Sequence, residues 1–240
     1  MKLAFSNSQF AVFDEVLSKR EFTMLRSYMQ SEDYQFVHKY AWNKAFRLTD
    51  GQPLEGQPVF SISPGDANPD KVRVYPLNSG IDLLIEFILK NCEHFDQWIG
   101  VKGKHWDVVS AKPYLFPKDT GLSWHSDHKG RTGSFTYYAH PHWNVQWGGE
   151  LLIADESVKD LIYPRQERYG ADERKRIGSE LDNSFENEKL LGVGVGHYVM
   201  PKPNRIVILA GGNLHRVNVA SFAGDNVRCS ITGFFYNCSK

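Results

Sequence analysis

Apolar positions recur at helical intervals across residues 14–30, where Val16, Leu17, Phe22, Leu25 and Met29 fall on one side. Asp14 is the expected N-cap of that helix. A second helix is expected over residues 81–99, with Leu84, Ile85, Ile88, Leu89 and Phe95 on its apolar side and Ser79 as cap. Residues 41–80 are rich in Gly and Pro, including the stretch TDGQPLEGQP, which predicts loops and short strands. From residue 105 the period changes. The runs WDVVSAKPYLF, SFTYYAH, GGELLIA, HYVMP, RIVILA, HRVNVAS and RCSITGFFY are short and β-type. Turn signals separate them at Gly148-Gly149, Pro203-Asn204, Gly211-Gly212 and Gly224-Asp225.

Seven or eight short strands after two helices predict a mainly β fold with supporting helices, namely a double-sheet jelly roll. Residues 155–190 carry many charges and little apolar content, so they read as a solvated excursion, either a lid or a plain loop. The expected organisation is a single domain over 1–240. Residues 1–104 form its helical support and substrate-side segment, and 105–240 form a jelly-roll core with a charged insert at 155–190.

Composition narrows the function. A chain of 240 residues can bury a real core. Lys plus Arg and Asp plus Glu both number 28, so the basic footprint of a nucleic-acid binder is missing and no nucleic-acid partner is expected. Three cysteines, Cys92, Cys229 and Cys238, are too scattered for a disulfide framework or a zinc cluster, which suits a reducing compartment. The start, MKLAFSNSQFAVFDEV, reaches polar residues too early for a signal peptide. No run approaches the ~20 apolar residues of a membrane helix, so a cytoplasmic location is expected.

The chemistry lies in His125-Ser126-Asp127, answered downstream by His215 and Arg228. On a strand, residues two apart share a face, so His125 and Asp127 can point the same way. His215 opens a later strand, and distant strands meet across a barrel. Two His and one carboxylate, with open positions opposite, form the ligand set of non-haem Fe(II) oxygenases. His128, His140, His142 and His197 compete as third ligands, although the turn at Pro141 should carry His140 and His142 away to the rim or surface. In VRCSITGFFY, Arg228, Ser230 and Thr232 alternate with Val227, Cys229 and Ile231. If the polar face points into a cavity, Arg228 is a buried cation that needs an anionic partner such as a dicarboxylate. If that face is outward, Arg228 simply meets water. Trp42, Arg47, Trp124, Tyr137, Trp143 and Trp147 are candidate pocket residues, and Arg47 or Arg73 could hold a substrate carboxylate.

YLFPKDTGLSWHSDH, GGELLI, NRIVILAGGNLHRV and VRCSITGFF together resemble the 2-oxoglutarate/Fe(II)-dependent oxygenase superfamily, in its prolyl-4-hydroxylase-like branch. The resemblance spans roughly residues 105–236. It implies a double-stranded β-helix with His125, Asp127 and His215 as Fe(II) ligands. It further implies Arg228 on the remote 2-oxoglutarate carboxylate, Ser230 as its hydroxyl helper, and Tyr114 as a cosubstrate-binding tyrosine, although a core tyrosine is an equal alternative. Many prolyl hydroxylases carry Lys where Arg228 stands, which counts against a prolyl substrate. Related halogenases carry Gly or Ala where Asp127 stands, which argues for hydroxylation. The implied reaction hydroxylates an unactivated carbon of an amino acid, small natural product or peptidyl side chain, with 2-oxoglutarate and O2 as cosubstrates and succinate and CO2 as coproducts. Two alternatives remain at this point. One is a cupin-like metalloenzyme that does not use 2-oxoglutarate; the other is a non-catalytic jelly-roll binding module.

Overall fold

Two β-sheets face each other, and helices cover the outer side of the larger one. The computed structural model describes residues 1–38, 46–63, 72–127, 130–158 and 184–237. The strands in chain order begin with β1 (Lys2–Ser6) and β2 (Phe10–Asp14), followed by the helix α1 (Lys19–Ser31). Four two-residue strands come next: β3 (Gln35–Phe36), β4 (Leu54–Glu55), β5 (Val59–Phe60) and β6 (Arg73–Val74). Helices α2 (Gly80–Asn91) and α3 (Asp96–Ile99) precede β7 (Val108–Phe116), β8 (Leu122–His125), β9 (Arg131–Tyr138) and β10 (Leu151–Ala154). After α4 (Ser184–Val193) come β11 (Gly196–Val199), β12 (Ile206–Ala210), β13 (His215–Val217) and β14 (Arg228–Tyr236).

The larger sheet runs β1-β2-β12-β9-β14-β7-β4-β3, with β5 and β6 beside β7. The smaller sheet runs β11-β10-β13-β8. This is the jelly-roll architecture that the strand spacing predicts. Strand alternation sorts the residues to two sides. Phe10, Val12, Tyr138, Val207 and Leu209 of the larger sheet meet Leu151, Ile153 and Val199 of the smaller one. Their neighbours Ala11, Phe13, Phe135, Tyr137, Ile206 and Ile208 turn outward, onto Leu25, Met29, Ile81, Leu84, Ile85 and Ile88 of the helices. Each fully buried aliphatic side chain contributes about 2 kcal/mol.

Several local expectations are corrected. Residues 10–14 are a strand, so α1 starts later than the periodicity suggested. Its cap is Ser18 rather than Asp14: Ser18 Oγ accepts from Glu21 N at 3.3 Å, and Glu21 returns the bond to Ser18 N at 2.8 Å. Asp14 instead pairs with Arg205 at 2.7 Å and Lys202 at 2.8 Å. Ser79 does occupy the N-cap of α2, but its hydroxyl makes no hydrogen bond with the described residues. Asp82 caps instead, accepting from Leu77 N and Ser79 N. The expected helix over 81–99 is broken by a 3-10 turn at Cys92–Phe95. The break aims Phe95 and Trp98 at Phe13, with ring centroids 5.3 Å and 6.5 Å away. The charged stretch is helical over Ser184–Val193, while 159–183 lie outside the described residues. No helix among the described residues is long and apolar enough to cross a membrane.

Candidate metal centre and anion pocket

β8 and β13 are hydrogen-bonded neighbours, with His125 directly opposite His215. Asp127 follows two positions beyond the end of β8. One ligand-capable atom from each of His125, Asp127 and His215 lies within 4.8 Å of the others. His125 Nε2 is 3.7 Å from Asp127 Oδ1, and His215 Nε2 is 3.4 Å from Asp127 Oδ2. The imidazole centroids are 4.3 Å apart. Each ring is held by its other nitrogen: His125 Nδ1 meets Ser123 O at 2.7 Å, and His215 Nδ1 meets Asn213 O at 3.0 Å. A carbonyl only accepts, so both Nδ1 atoms carry the proton and donate it. Both Nε2 lone pairs are thereby left free for the shared centre.

The electrostatics agree with that arrangement. Burial first, then the neighbouring His215, pushes His125 well below its ordinary value and keeps it neutral. Burial works against ionisation of Asp127. It is outweighed by His215, His125, a hydrogen bond from Ser134 and Arg131, which together hold the carboxyl below its usual range. Two imidazoles and one carboxylate fit a divalent first-row metal such as Fe(II).

The turn that carries His215 is itself braced. Asn213 Nδ2 donates to Ala210 O at 2.8 Å, while its Oδ1 accepts from Gln9 Nε2 at 2.8 Å. Gln9 Nε2 also reaches Ala154 O at 2.9 Å. Both side chains are buried. Sequence reasoning did not pick either one. Asn213, two residues before His215 in a Gly-Gly-Asn turn, was the available signal.

Arg228 is 1% exposed. Its Nε donates to Gly149 O at 2.9 Å and its Nη1 to Ser230 Oγ at 3.2 Å. Its Cζ lies 5.0 Å from the ring centroids of both Phe116 and Tyr138. Nη2 and the Tyr138 hydroxyl are buried and make no hydrogen bond of good geometry with the described residues, although the two side chains lie close enough to attract each other. Burial lowers the guanidinium from its ordinary value, because the charge has lost its water. The Gly-Gly before β10 makes room for it. Gly149 has φ +77°, and a Cβ there would approach Arg228 Cδ to 3.0 Å and Trp143 Cζ2 to 3.2 Å. Tyr114 pairs with Ser230 in register and so faces the same interior, stacked on Phe46 with centroids 5.8 Å apart.

Other candidates fall elsewhere. Trp124 packs against the small cluster of Ala154, Val158 and Leu214. Tyr137 faces the helices and donates to Asn204 Oδ1 at 2.8 Å. Arg73 is tied to Glu32 at 2.7 Å. Arg47 is buried, Trp143 and Trp147 stack edge-on at 5.2 Å near Gly149, and Trp42 and His128 lie outside the described residues. His140 is buried, not at the rim, and bonds Pro201 O at 2.6 Å. Arg131 was missed. It leads β9, stacks 3.7 Å from the Phe234 ring centroid, and places Nη1 3.7 Å from Asp127 Oδ1.

Comparison with known proteins bears on the fold and the family. A prolyl-4-hydroxylase from Pseudomonas putida is similar in structure, with TM-score 0.57, 16% identity, and coverage of 95% of this chain and 93% of that one. A prolyl hydroxylase from Trichoplax adhaerens gives TM-score 0.55 at 15% identity, covering 96% and 84% of the two chains. HygX from Streptomyces hygroscopicus, solved with nickel and 2-oxoglutarate, gives TM-score 0.54 at 12% identity, covering 98% and 88%. These likenesses establish the double-stranded β-helix fold. No protein of curated function matches the chain by sequence. The sequence profile of the 2OG-Fe(II) oxygenase superfamily matches residues 109–236, more than half of the chain. The chain therefore belongs to the 2OG-Fe(II) oxygenase superfamily and is a 2-oxoglutarate-dependent dioxygenase that uses Fe(II), 2-oxoglutarate and O2.

Proposed function

We propose that this enzyme hydroxylates an unactivated carbon of an amino acid, a small natural product or a peptidyl side chain, with succinate and CO2 as coproducts. The observation that carries the reading is the convergence of His125, Asp127 and His215, with both Nε2 lone pairs free. Fe(II) and 2-oxoglutarate, when bound, activate dioxygen to take hydrogen from an unreactive carbon. The protein's own groups have separate tasks. His125, Asp127 and His215 hold the metal. Arg228 takes the remote carboxylate of 2-oxoglutarate through its open Nη2, assisted by the Ser230 hydroxyl, with Tyr114 lining the same interior. Phe116, Tyr138 and Trp143 keep water from that ion pair.

The substrate side is read from Arg131. The inner face of β14 runs from Arg228 to Phe234 and Tyr236, and Arg131 lies over those two rings beside Asp127. Its side chain is 31% exposed, and the guanidinium offers donors to a carboxylate or carbonyl. A similar structure holds a hypoxia inducible factor peptide fragment and another holds hygromycin B, so the fold accommodates both peptide and small-molecule ligands. We further take residues 1–240 as a single catalytic domain, because β1 and β2 belong to the sheet that contains β14.

A panel of amino acids, peptides and natural products, each with Fe(II) and 2-oxoglutarate, tests the reading. The expected result is succinate release stimulated by one panel member, which gains one oxygen atom. Turnover that proceeds without 2-oxoglutarate would overturn it and favour a cupin-like metalloenzyme.

A further inference from the structure

We propose that Asp50 is a positioning residue for His125, acting through Ser123, and that it couples the segment 46–50 to the metal centre. The proposal rests on reading His125, Asp127 and His215 as the metal ligands. β8 ends the smaller sheet and, among the described residues, pairs with a strand on one side only, β13. That pairing is itself irregular between His215 and Val217. A four-residue edge strand held on one side is a loose mount for a ligand.

Asp50 occupies the other side. Its Oδ2 accepts from Ser123 N at 3.0 Å and its Oδ1 from Ser123 Oγ at 2.9 Å. Its carbonyl accepts from Gly121 N at 2.9 Å. Bonds that a further strand would make are thus made by one aspartate. The Ser123 carbonyl in turn accepts from His125 Nδ1 at 2.7 Å. The chain of contacts from carboxylate to metal-facing ring is therefore short and unbroken. At 4% exposure, Asp50 is also well sheltered from competing water.

The same carboxylate reaches toward the interior. Oδ2 accepts from Arg47 N at 2.8 Å, and the adjacent Phe46 stacks on Tyr114. One buried group therefore contacts both the strand that carries His125 and the segment that carries Phe46. A purely structural Asp50 would lower stability while leaving the metal affinity of folded molecules untouched.

Calorimetric titration of the full-length protein with Co(II), without 2-oxoglutarate, separates these roles. Circular dichroism checks the fold of each variant. Asp50→Ala is expected to weaken Co(II) binding about 10–100-fold, as loss of an outer-shell partner does. Asp50→Asn keeps an acceptor and should lose less, as should Ser123→Ala, which keeps the backbone bonds. Folded Asp50→Ala that binds within about twofold of wild type, against that outer-shell loss, overturns the proposal. Should Asp50→Ala fail to fold, unchanged affinity in both Asp50→Asn and Ser123→Ala overturns it equally. Wild-type protein that binds no Co(II), or binds as well after His215→Ala, overturns the ligand reading itself, a distinct result.

Discussion

Arg228 pays for its burial with an open donor, and that open donor defines its expected partner. Loss of a charge-assisted contact should cost about 1.5–3 kcal/mol, so Arg228→Gln is expected to raise the 2-oxoglutarate KM by about 10–100-fold. Metal affinity without cosubstrate should stay unchanged, and sequential titration of metal and then 2-oxoglutarate checks both points. His140 gives a prediction in pH. Burial holds it down to about 4, from an ordinary 6.5, with hydrogen bonding to Pro201 only partly opposing. The unfolded chain takes up a proton near pH 6.5, while the folded protein resists until about pH 4. Stability is therefore full above pH 6.5 and falls as pH drops toward 4, by about 3 kcal/mol for this group. Melting curves of His140→Gln should show a shallower loss across that window than wild type, with the remaining slope shared with His125. An unchanged slope would contradict the assignment. The spacing of His125, Asp127 and His215 made the metal group legible in the sequence, as the polar face of VRCSITGFFY did for Arg228. His140 was not legible, because a histidine beside Pro141 reads as turn. The pairing of Arg73 with Glu32 was not legible either, because the two are remote in sequence.

At the element scale, Gly80 sets two opposing effects against each other. Alanine normally favours a helix by about 1 kcal/mol over glycine. A Cβ at Gly80, however, would come within 2.8 Å of Leu25 Cα where α2 crosses α1. Overpacking of that kind costs about 1–3 kcal/mol, so Gly80→Ala is expected to lower the melting temperature. The turn before β13 offers a second test. Asn213→Ala removes one of the two acceptors of Gln9 Nε2 and frees the loop that carries His215. It should destabilise the protein by about 1–3 kcal/mol in denaturant titration and weaken metal binding as well. The strands from residue 105 onward were readable because turn residues punctuate them. β2 was not, since FAVFD is apolar on both faces and a strand buried on both sides shows no alternation. Nor does a hydrophobic pattern reveal whether Ser79 or Asp82 supplies the cap, as both suit a helix start.

At the scale of the whole molecule, two sheets place groups from opposite ends of the chain around one interior. β2 supports β12, β12 runs into the turn that carries His215, and β14 sets Arg228 against Phe116 and Tyr138 on the face turned toward the smaller sheet. The sequence conveyed the class of fold through its strand spacing, and the candidate metal-ligating set through His125-x-Asp127 together with the resemblance that pointed to the distant His215. It could not convey the braces at Gln9 and Asn213 or at Asp50 and Ser123, which arise from contacts between distant segments. The central claim is that His125, Asp127 and His215 hold one Fe(II) while Arg228 anchors 2-oxoglutarate beside it. Anaerobic titration with Fe(II) and 2-oxoglutarate, followed by the weak visible charge-transfer absorption of their chelate, tests it most directly. The account predicts a band in wild type that vanishes in His215→Ala and needs far more 2-oxoglutarate in Arg228→Gln. Folded wild-type protein that gives no band, or a His215→Ala variant that keeps it, would contradict the account.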